Sequence, residues 1–374
     1  MRLLVITNDF PPNPGGIENY VYSLVRRWPP GEVLVVTRAM PGSDEFDAAQ
    51  DFEILREPVD TLLPGPALAR RLGRLVAARG IDVVHFPSAL PLGLIGSGLG
   101  RPYALSVHGG EFVLASRIPG ARSALKAVCR SAAMVMPESS FAEKLVTRLL
   151  GTGIPLTRVT CGVDAARYGR GSVQPVDLGV VGPVVVSVSR LVARKGPRTL
   201  IAGLPQVLRS HPEAHLLVVG GGPDLPHLQK MVGDRGLAGS ATLAGSQPWD
   251  RIPSYLASAE IFALPTRARF LGTETEGLPL VYVEAAAAGL PLIGGDVGGV
   301  GDAVRPGQTG ILVDGRSAEQ TADAIVRLLD SPDQARRLGA AARQMAEREF
   351  SWDAVYARYR EALERSRRGY CAGG

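Results

Sequence analysis

Glu276 and Glu284 stand eight residues apart in the segment 275–289, TEGLPLVYVEAAAAG, and are the residues of this chain whose type and spacing most directly suggest chemistry. Pro279 suits the first turn of a helix, residues 280–288 propagate it, and Gly289 ends it before a strand opening at Pro291. The start of such a helix presents unpaired N–H groups, here those of Leu280 and Val281, to an anion, and its dipole adds about 0.3 to 2 kcal/mol. Glu276 precedes the start and Glu284 lies more than a turn inside, so the two carboxylates bracket a phosphate seat and can accept hydrogen bonds from sugar hydroxyls. The plain alternative is a dipole partner at Glu276 and a solvated helix charge at Glu284.

A phosphate seat calls for cations. In 187–197, SVSRLVARKGP, a strand end runs into a loop and then a helix opened by Pro197, which puts Arg190 and Lys195 at the carboxyl edge of a sheet. A diphosphate carries about two charges and needs such partners; two solvated loop cations are the alternative. In 8–20, NDFPPNPGGIENY, Gly15 and Gly16 let the backbone approach a phosphate just before a helix begins near Ile17. That segment matches neither GxGxxG nor a Walker sequence. His108, in SVHGGE, follows a strand and can hydrogen-bond a sugar hydroxyl or take a proton near neutrality, or serve only structure. The glycine run at 220–222 is a further turn that could approach a ligand. No DxD sequence occurs to hold a divalent metal on a diphosphate.

These residues need rigid supports. Apolar, β-branched runs at 3–7, 33–37, 81–86 and 103–107 read as strands, separated by helical segments such as 67–79; after an aperiodic stretch near 168–182 the pattern restarts with strands at 184–188, 215–219, 261–264 and 292–293. Such alternation predicts an α/β protein of two doubly wound, Rossmann-like domains facing across a cleft. The expected boundaries are 1–172, 173–352 and a C-terminal segment 353–374, whose charged helix crosses back to the N-terminal domain and ends in a frayed tail from Gly369 to Gly374.

Bulk properties narrow the class. The 374 residues allow about two domains. With 45% hydrophobic and 21% charged residues, the chain is neither disordered nor fibrous. The apolar start at 3–6 is too short for a secretory signal, and the uncharged run 86–100 carries two prolines and four glycines, so neither a signal nor a membrane span is expected. Three cysteines, Cys129, Cys161 and Cys371, lack metal-like spacing, which points to a cytoplasmic protein without a metal site. A net charge of +5 permits anionic partners without naming one. Between Phe112 and Pro137 there are four basic residues and no acidic one; Arg122, Lys126 and Arg130 recur on one helical face, with Ile118, Ala121, Leu125 and Val128 on another.

In this order, PPNPGGIENY, HGG, CGVD, SRLVARKG, VVGGGP and EGLPLVYVE resemble the retaining GT-B glycosyltransferases of family 4 over essentially the whole chain. The resemblance implies an N-terminal acceptor domain and a C-terminal nucleotide-sugar domain. Glu276 would then meet donor-sugar hydroxyls, Gly277, Leu278 and Leu280 would present backbone groups, and Glu284 would hold the ribose. Arg190 and Lys195 would clamp the diphosphate, Gly16 would pack on it, and His108 would lie beside the sugar. The base would sit against Gly245, Ser246 and Gln247. Transfer would proceed by front-face attack with retention, without a metal or other cofactor and without nucleic acid. Within the family the likeness is strongest to GDP-mannose-dependent phosphatidylinositol mannoside mannosyltransferases. It rests on FPPNPGGIENY, HGGEFVLASRIPGARSALK and TRARFLGTETEG, and implies a glycolipid acceptor and peripheral contact of residues 117–130 with an anionic membrane on its inner face. UDP-sugar transferases of exopolysaccharide, thiol or inositol, and natural-product glycosylation remain open, as do an epimerase and a non-catalytic sugar-binding protein.

Overall fold

The computed structural model describes residues 1–13, 15–169, 171–272 and 274–372. It divides into two compact units, Met1–Cys161 with Trp352–Gly374, and Gly162–Ser351. The first contains β1 (Leu3–Ile6), β2 (Val33–Arg38), β3 (Glu53–Glu57), β4 (Val83–Phe86), β5 (Tyr103–Val107) and β6 (Met134–Pro137), all parallel and ordered β3-β2-β1-β4-β5-β6. The second contains β7 (Val184–Val188), β8 (His215–Val219), β9 (Ala241–Gly245), β10 (Ile261–Leu264), β11 (Leu292–Gly295) and β12 (Gly310–Val313), ordered β12-β11-β10-β7-β8-β9. Each sheet therefore winds outward from its first strand in both directions. The switch lies between β1 and β4 in one unit, with Leu3 opposite Val83, and between β7 and β10 in the other, with Val185 opposite Ile261. The two doubly wound, Rossmann-like domains expected from the alternation of strands and helices are the ones found, as the resemblance to the GT-B fold implies.

The central strands are runs of Val, Leu and Ile buried on both faces, as a parallel sheet sandwiched by helices requires. Leu4, Val84 and Leu105 contribute to the core of the first unit, and Val186, Phe262 and Tyr282 to one face of the second. Four strands carry no comparable sequence signal. β3 reads EILRE, an edge strand with charges at three of its positions, and β6, β9 and β12 are short runs interrupted by Pro, Ala or Gly.

The units divide after Cys161, earlier than the expected 172/173 boundary, because Val163 and Tyr168 are buried in the second unit's core. The helix Trp352–Ala372 belongs to the first unit. There the Tyr359 hydroxyl and His85 Nδ1 are 2.8 Å apart, and His85 Nε2 lies 2.9 Å from Ser106 Oγ. Burial, reinforced by His108, pushes the His85 imidazole down to about 3, so it is a neutral strut. The helix includes Gly369, where a frayed tail was expected; Gly373 and Gly374 lie outside the described residues, as do Pro14 and Thr273 of the motifs above and the side chain of Cys371.

Candidate functional site

The carboxyl ends of β7 and β10, the switch point of the second sheet, carry the charged residues of interest. β7 gives way to a 3-10 turn, Ala193–Lys195, and then to the helix Pro197–Ser210. Gly196 between them has φ +74°, and a Cβ there would fall 2.0 Å from the Pro265 carbonyl oxygen, so only glycine lets the cationic turn press against the chain leaving β10. The Arg267 N–H donates to the Arg194 carbonyl at 2.8 Å, tying the two loops together. On the other side the Gly299 N–H donates to the Glu276 carbonyl at 3.1 Å.

These ties bring Glu276, 6% exposed, onto two cations. Its Oε2 accepts from Lys195 Nζ at 2.9 Å and its Oε1 accepts from Arg194 Nη1. A buried carboxylate is tolerated only when paired and hydrogen-bonded in this way. Burial, and then the neighbouring Arg194, push the Lys195 ammonium down to about 7, while the carboxylate beside it favours the charged form. Arg190 is exposed, and among the described residues its guanidinium makes no hydrogen bond. Spacing alone singled out Arg190 and Lys195; Arg194, which holds the second carboxylate oxygen, was missed. The signal was its position immediately before Lys195 in a turn too short to point both side chains away from the same neighbour.

The lowered Lys195 pKa carries a pH prediction. The ammonium binds an anion and the free amine does not, so anion affinity is fully present below about 7 and lost as pH rises through it. Binding of an anion such as a diphosphate should weaken about tenfold per pH unit on that alkaline limb. Lys195→Arg, whose guanidinium stays charged, should move the limb upward. A profile flat to about pH 9 in the wild type would contradict the assignment.

Glu284 lies on the helix Leu280–Ala287, whose other side chains are mostly small and apolar, with Tyr282, Val283 and Ala285 to Ala287 buried. Its Oε1 accepts from the Tyr168 hydroxyl at 2.8 Å and from Trp249 Nε1 at 3.4 Å. Burial raises its pKa, and these two donors, with Arg167, oppose the rise. The Arg167 guanidinium stacks 3.6 Å from the Trp249 ring centroid, and Trp249 remains 59% exposed. Neither Tyr168 nor Trp249 was singled out from sequence, since each is far from Glu284 along the chain and sits in an unpatterned stretch. Pro279 is the N-cap of this helix, extended at ψ 115°, and Leu278 is buried while Gly277 and Leu280 are partly exposed.

Gly245 ends β9 with φ +66°; Ser246 is exposed, and Gln247 Nε2 donates to the Ala244 carbonyl at 2.7 Å. The glycine run after β8 has a structural reason: Cβ atoms at Gly220 and Gly222 would fall 1.8 and 2.4 Å from the carbonyl oxygens of Ser189 and Leu191. Those glycines let the β8 turn pack under the loop that carries Arg190.

The remaining expected residues lie in the first unit. Gly15 is extended at φ −174°, and Gly16 opens the helix Gly16–Val25 with open space where a Cβ would be. His108, 8% exposed, follows β5; its Nδ1 lies 2.8 Å from Glu138 Oε2 and its Nε2 lies 2.9 Å from the Pro87 carbonyl oxygen. Both ring nitrogens therefore face acceptor oxygens of the protein, and these two contacts fix the orientation of the imidazole at the carboxyl edge of the first sheet. The basic segment 117–130 is two helices, Gly110–Arg117 and Pro119–Ser131, meeting at Ile118, which is 51% exposed, while Leu125 and Val128 are buried. Among the described residues no group of three or more His, Cys, Asp or Glu could hold a metal ion, and no helix is long and apolar enough to cross a membrane.

Comparison with known proteins agrees with this picture. A family model described as Glycosyltransferase Family 4 matches residues 14–167, and one described as Glycosyl transferases group 1 matches residues 178–345. The chain is 37% identical over 378 residues to a GDP-mannose-dependent alpha-(1-6)-phosphatidylinositol monomannoside mannosyltransferase of Mycobacterium tuberculosis, covering 97% of this chain and 98% of the relative. It is 32% identical to a GDP-mannose-dependent monoacylated alpha-(1-6)-phosphatidylinositol monomannoside mannosyltransferase of Corynebacterium glutamicum, with coverage of 97% and 98%. Among solved structures, Anabaena HepE in complex with UDP has a similar fold, with a TM-score of 0.80 at 18% identity, over 97% of this chain and all of that one (100%).

Proposed function

We propose that this chain, which belongs to glycosyltransferase family 4, transfers mannose from GDP-mannose to a hydroxyl of a phosphatidylinositol-based glycolipid. The observation that carries the reading is the Lys195–Glu276–Arg194 cluster at the β7/β10 switch point, in a chain 37% identical along nearly its whole length to an enzyme of that name. The second unit binds the donor and the first binds the sugar end of the acceptor. Arg190 and Lys195 neutralise the diphosphate, and Glu276 holds sugar hydroxyls while keeping Arg194 and Lys195 aligned. The departing phosphate oxygen takes the acceptor's proton, the cations stabilise its charge, and the anomeric configuration is retained. No metal is required, because fixed cations already meet the developing charge. The test is nucleotide release and mass gain of the lipid with GDP-mannose, UDP-glucose and UDP-GlcNAc, with and without EDTA. A hexose added only from GDP-mannose, undiminished by EDTA, is the expected result; absence of release with every one of these donors would end the transferase reading.

Glu284, Tyr168 and Trp249 form the nucleoside end of the donor site, with the ribose on Glu284 and the base toward Gly245 and Gln247. Trp249→Ala removes both a donor to Glu284 and the surface on which Arg167 stacks. The donor KM should rise about tenfold, with kcat reduced much less, since nucleoside contacts act on ground and transition states alike. An unchanged KM in steady-state kinetics would remove Trp249 from the site.

The chain works as a peripheral protein on the inner face of a membrane, through the basic stretch 117–130. Leu114 and Ile118, 55% and 51% exposed, flank Arg117 and Arg122, which supports an interfacial edge where apolar tips and cations face outward together. Replacing Arg122, Lys126 and Arg130 with Gln should weaken binding to anionic vesicles, read by co-sedimentation, about a hundredfold, at about 1 kcal/mol per basic residue near the surface. Equal sedimentation of variant and wild type would return these residues to an ordinary solvated face.

A further inference from the structure

The carboxyl edge of the second sheet holds more positive charge than one diphosphate needs. Arg190, Arg194, Lys195 and Arg198 follow β7, Arg267 and Arg269 follow β10, and Arg316 follows β12. Three nearby carboxylates account for four of these cations: Glu276 pairs with Arg194 and Lys195, Asp224 with Arg198 and Glu274 with Arg269. Arg190, Arg267 and Arg316 have no carboxylate partner among the described residues. Arg190 falls to the donor diphosphate in the reading above, which leaves Arg267 and Arg316.

Their placement is built into the backbone. Arg267 Nε donates to the Ala193 carbonyl at 3.1 Å, and Arg316 Nη2 donates to the Ala268 carbonyl at 3.2 Å. The Thr199 hydroxyl donates to the Gly315 carbonyl at 3.0 Å, and a Cβ on Gly315 would fall 2.1 Å from the Thr266 carbonyl oxygen. Three loops are thereby stitched together with two guanidiniums on them. Apart from those carbonyl bonds the guanidiniums engage no protein acceptor among the described residues, so the terminal nitrogens of Arg267 are left without a protein partner. Burial and the crowding of Arg269, Arg316 and Arg198 lower the Arg267 pKa, with Asp224 opposing. Guanidinium forks match the oxygens of a phosphate, and an unfilled pair of them held together against repulsion suits such an anion. Phe270, three residues after Arg267, is 64% exposed and held at φ +46°, with the Arg269 guanidinium 4.6 Å from its ring centroid. An apolar ring next to the cations suits a lipid phosphate better than a free one.

We propose that Arg267 and Arg316 form a second anion site, separate from the diphosphate seat, that takes the phosphodiester of the acceptor's headgroup. The identification of the phosphate with the acceptor rests on the transferase reading; the existence of the site does not. Two measurements on the full chain keep them apart. The first is calorimetric titration of the GDP-saturated protein with glycerophosphoinositol and, separately, with inorganic phosphate. Glycerophosphoinositol should bind, and about tenfold more weakly in Arg267→Gln/Arg316→Gln, with Arg267→Lys/Arg316→Lys recovering part of the loss. Arg316→Gln alone, which gives up a single backbone bond on an exposed side chain, should show the same direction if the double variant is poorly folded. Equal binding by wild type and variants, or binding of inorganic phosphate alone, would overturn the proposal. The second measurement is transfer to two acceptors with the same sugar, one bearing the phosphodiester and one lacking it. Wild type should favour the diester about tenfold in kcat/KM, and the Gln variants should lose that preference through acceptor KM. Transfer without preference would overturn the site while leaving the transferase reading intact. A loss confined to donor KM would overturn it too, by assigning both arginines to the diphosphate. Titration that shows the site with no transfer to either acceptor would sink the transferase reading alone.

Discussion

Lys195→Met should lower mannosyl transfer about a hundred- to thousandfold while the protein still folds. Lys195 has a side chain only 12% exposed, and its ammonium is one of two cations fixed on Glu276. Removing a preorganised charge that faces a developing phosphate anion costs about 3–4 kcal/mol of transition-state stabilisation. Methionine matches the length and apolar stem of lysine, so the packing around the side chain is kept. The fold also loses the burden of a buried ammonium, whose ionisation is already pushed down to about 7. Thermal unfolding of the variant should therefore lie close to wild type, while steady-state assay finds almost no product. Transfer within a few-fold of wild type would remove Lys195 from the chemistry.

Glu276→Gln is the second large effect, about a hundred- to thousandfold in kcat/KM. The amide can still accept from one cation through its oxygen, but its NH2 group turns a donor toward the other, so Arg194 and Lys195 are no longer both held. Breaking a buried ion pair ordinarily costs about 3–5 kcal/mol of stability. Here Lys195 sits near neutrality and can release its proton, which limits the loss to a modest fall in Tm. Because the three side chains act as a unit, adding Lys195→Met to Glu276→Gln should reduce activity little beyond the worse single variant. Additive losses would mean that the carboxylate and the ammonium act independently.

Much of this could be read before the structure. Strands rich in Val, Leu and Ile were found within a residue or two, as at Tyr103–Val107 and His215–Val219, because burial on both faces leaves a continuous apolar run. Edge strands such as Glu53–Glu57 escaped, since a strand with one free edge tolerates charge. Glu276, Glu284 and Lys195 were legible because helix starts and strand ends have sequence signatures. Their partners were not. Arg194 is set on Glu276 by the φ +74° turn at Gly196, and Tyr168 and Trp249 reach Glu284 from distant parts of the chain. Hydrogen bonds of that range leave no periodic trace. The carboxylates thus changed in meaning: Glu276 organises cations, and Glu284 is a polar anchor on an apolar helix.

The position of the donor diphosphate decides the role of the β7 turn, and a crystal structure with GDP-mannose bound measures it directly. Diphosphate oxygens should lie about 3 Å from Lys195 Nζ and the Arg190 guanidinium, with a mannose hydroxyl on Glu276 and the ribose hydroxyls on Glu284. A diphosphate bound away from the β7 turn, with the Lys195–Glu276 pair untouched and remote from it, would contradict the account.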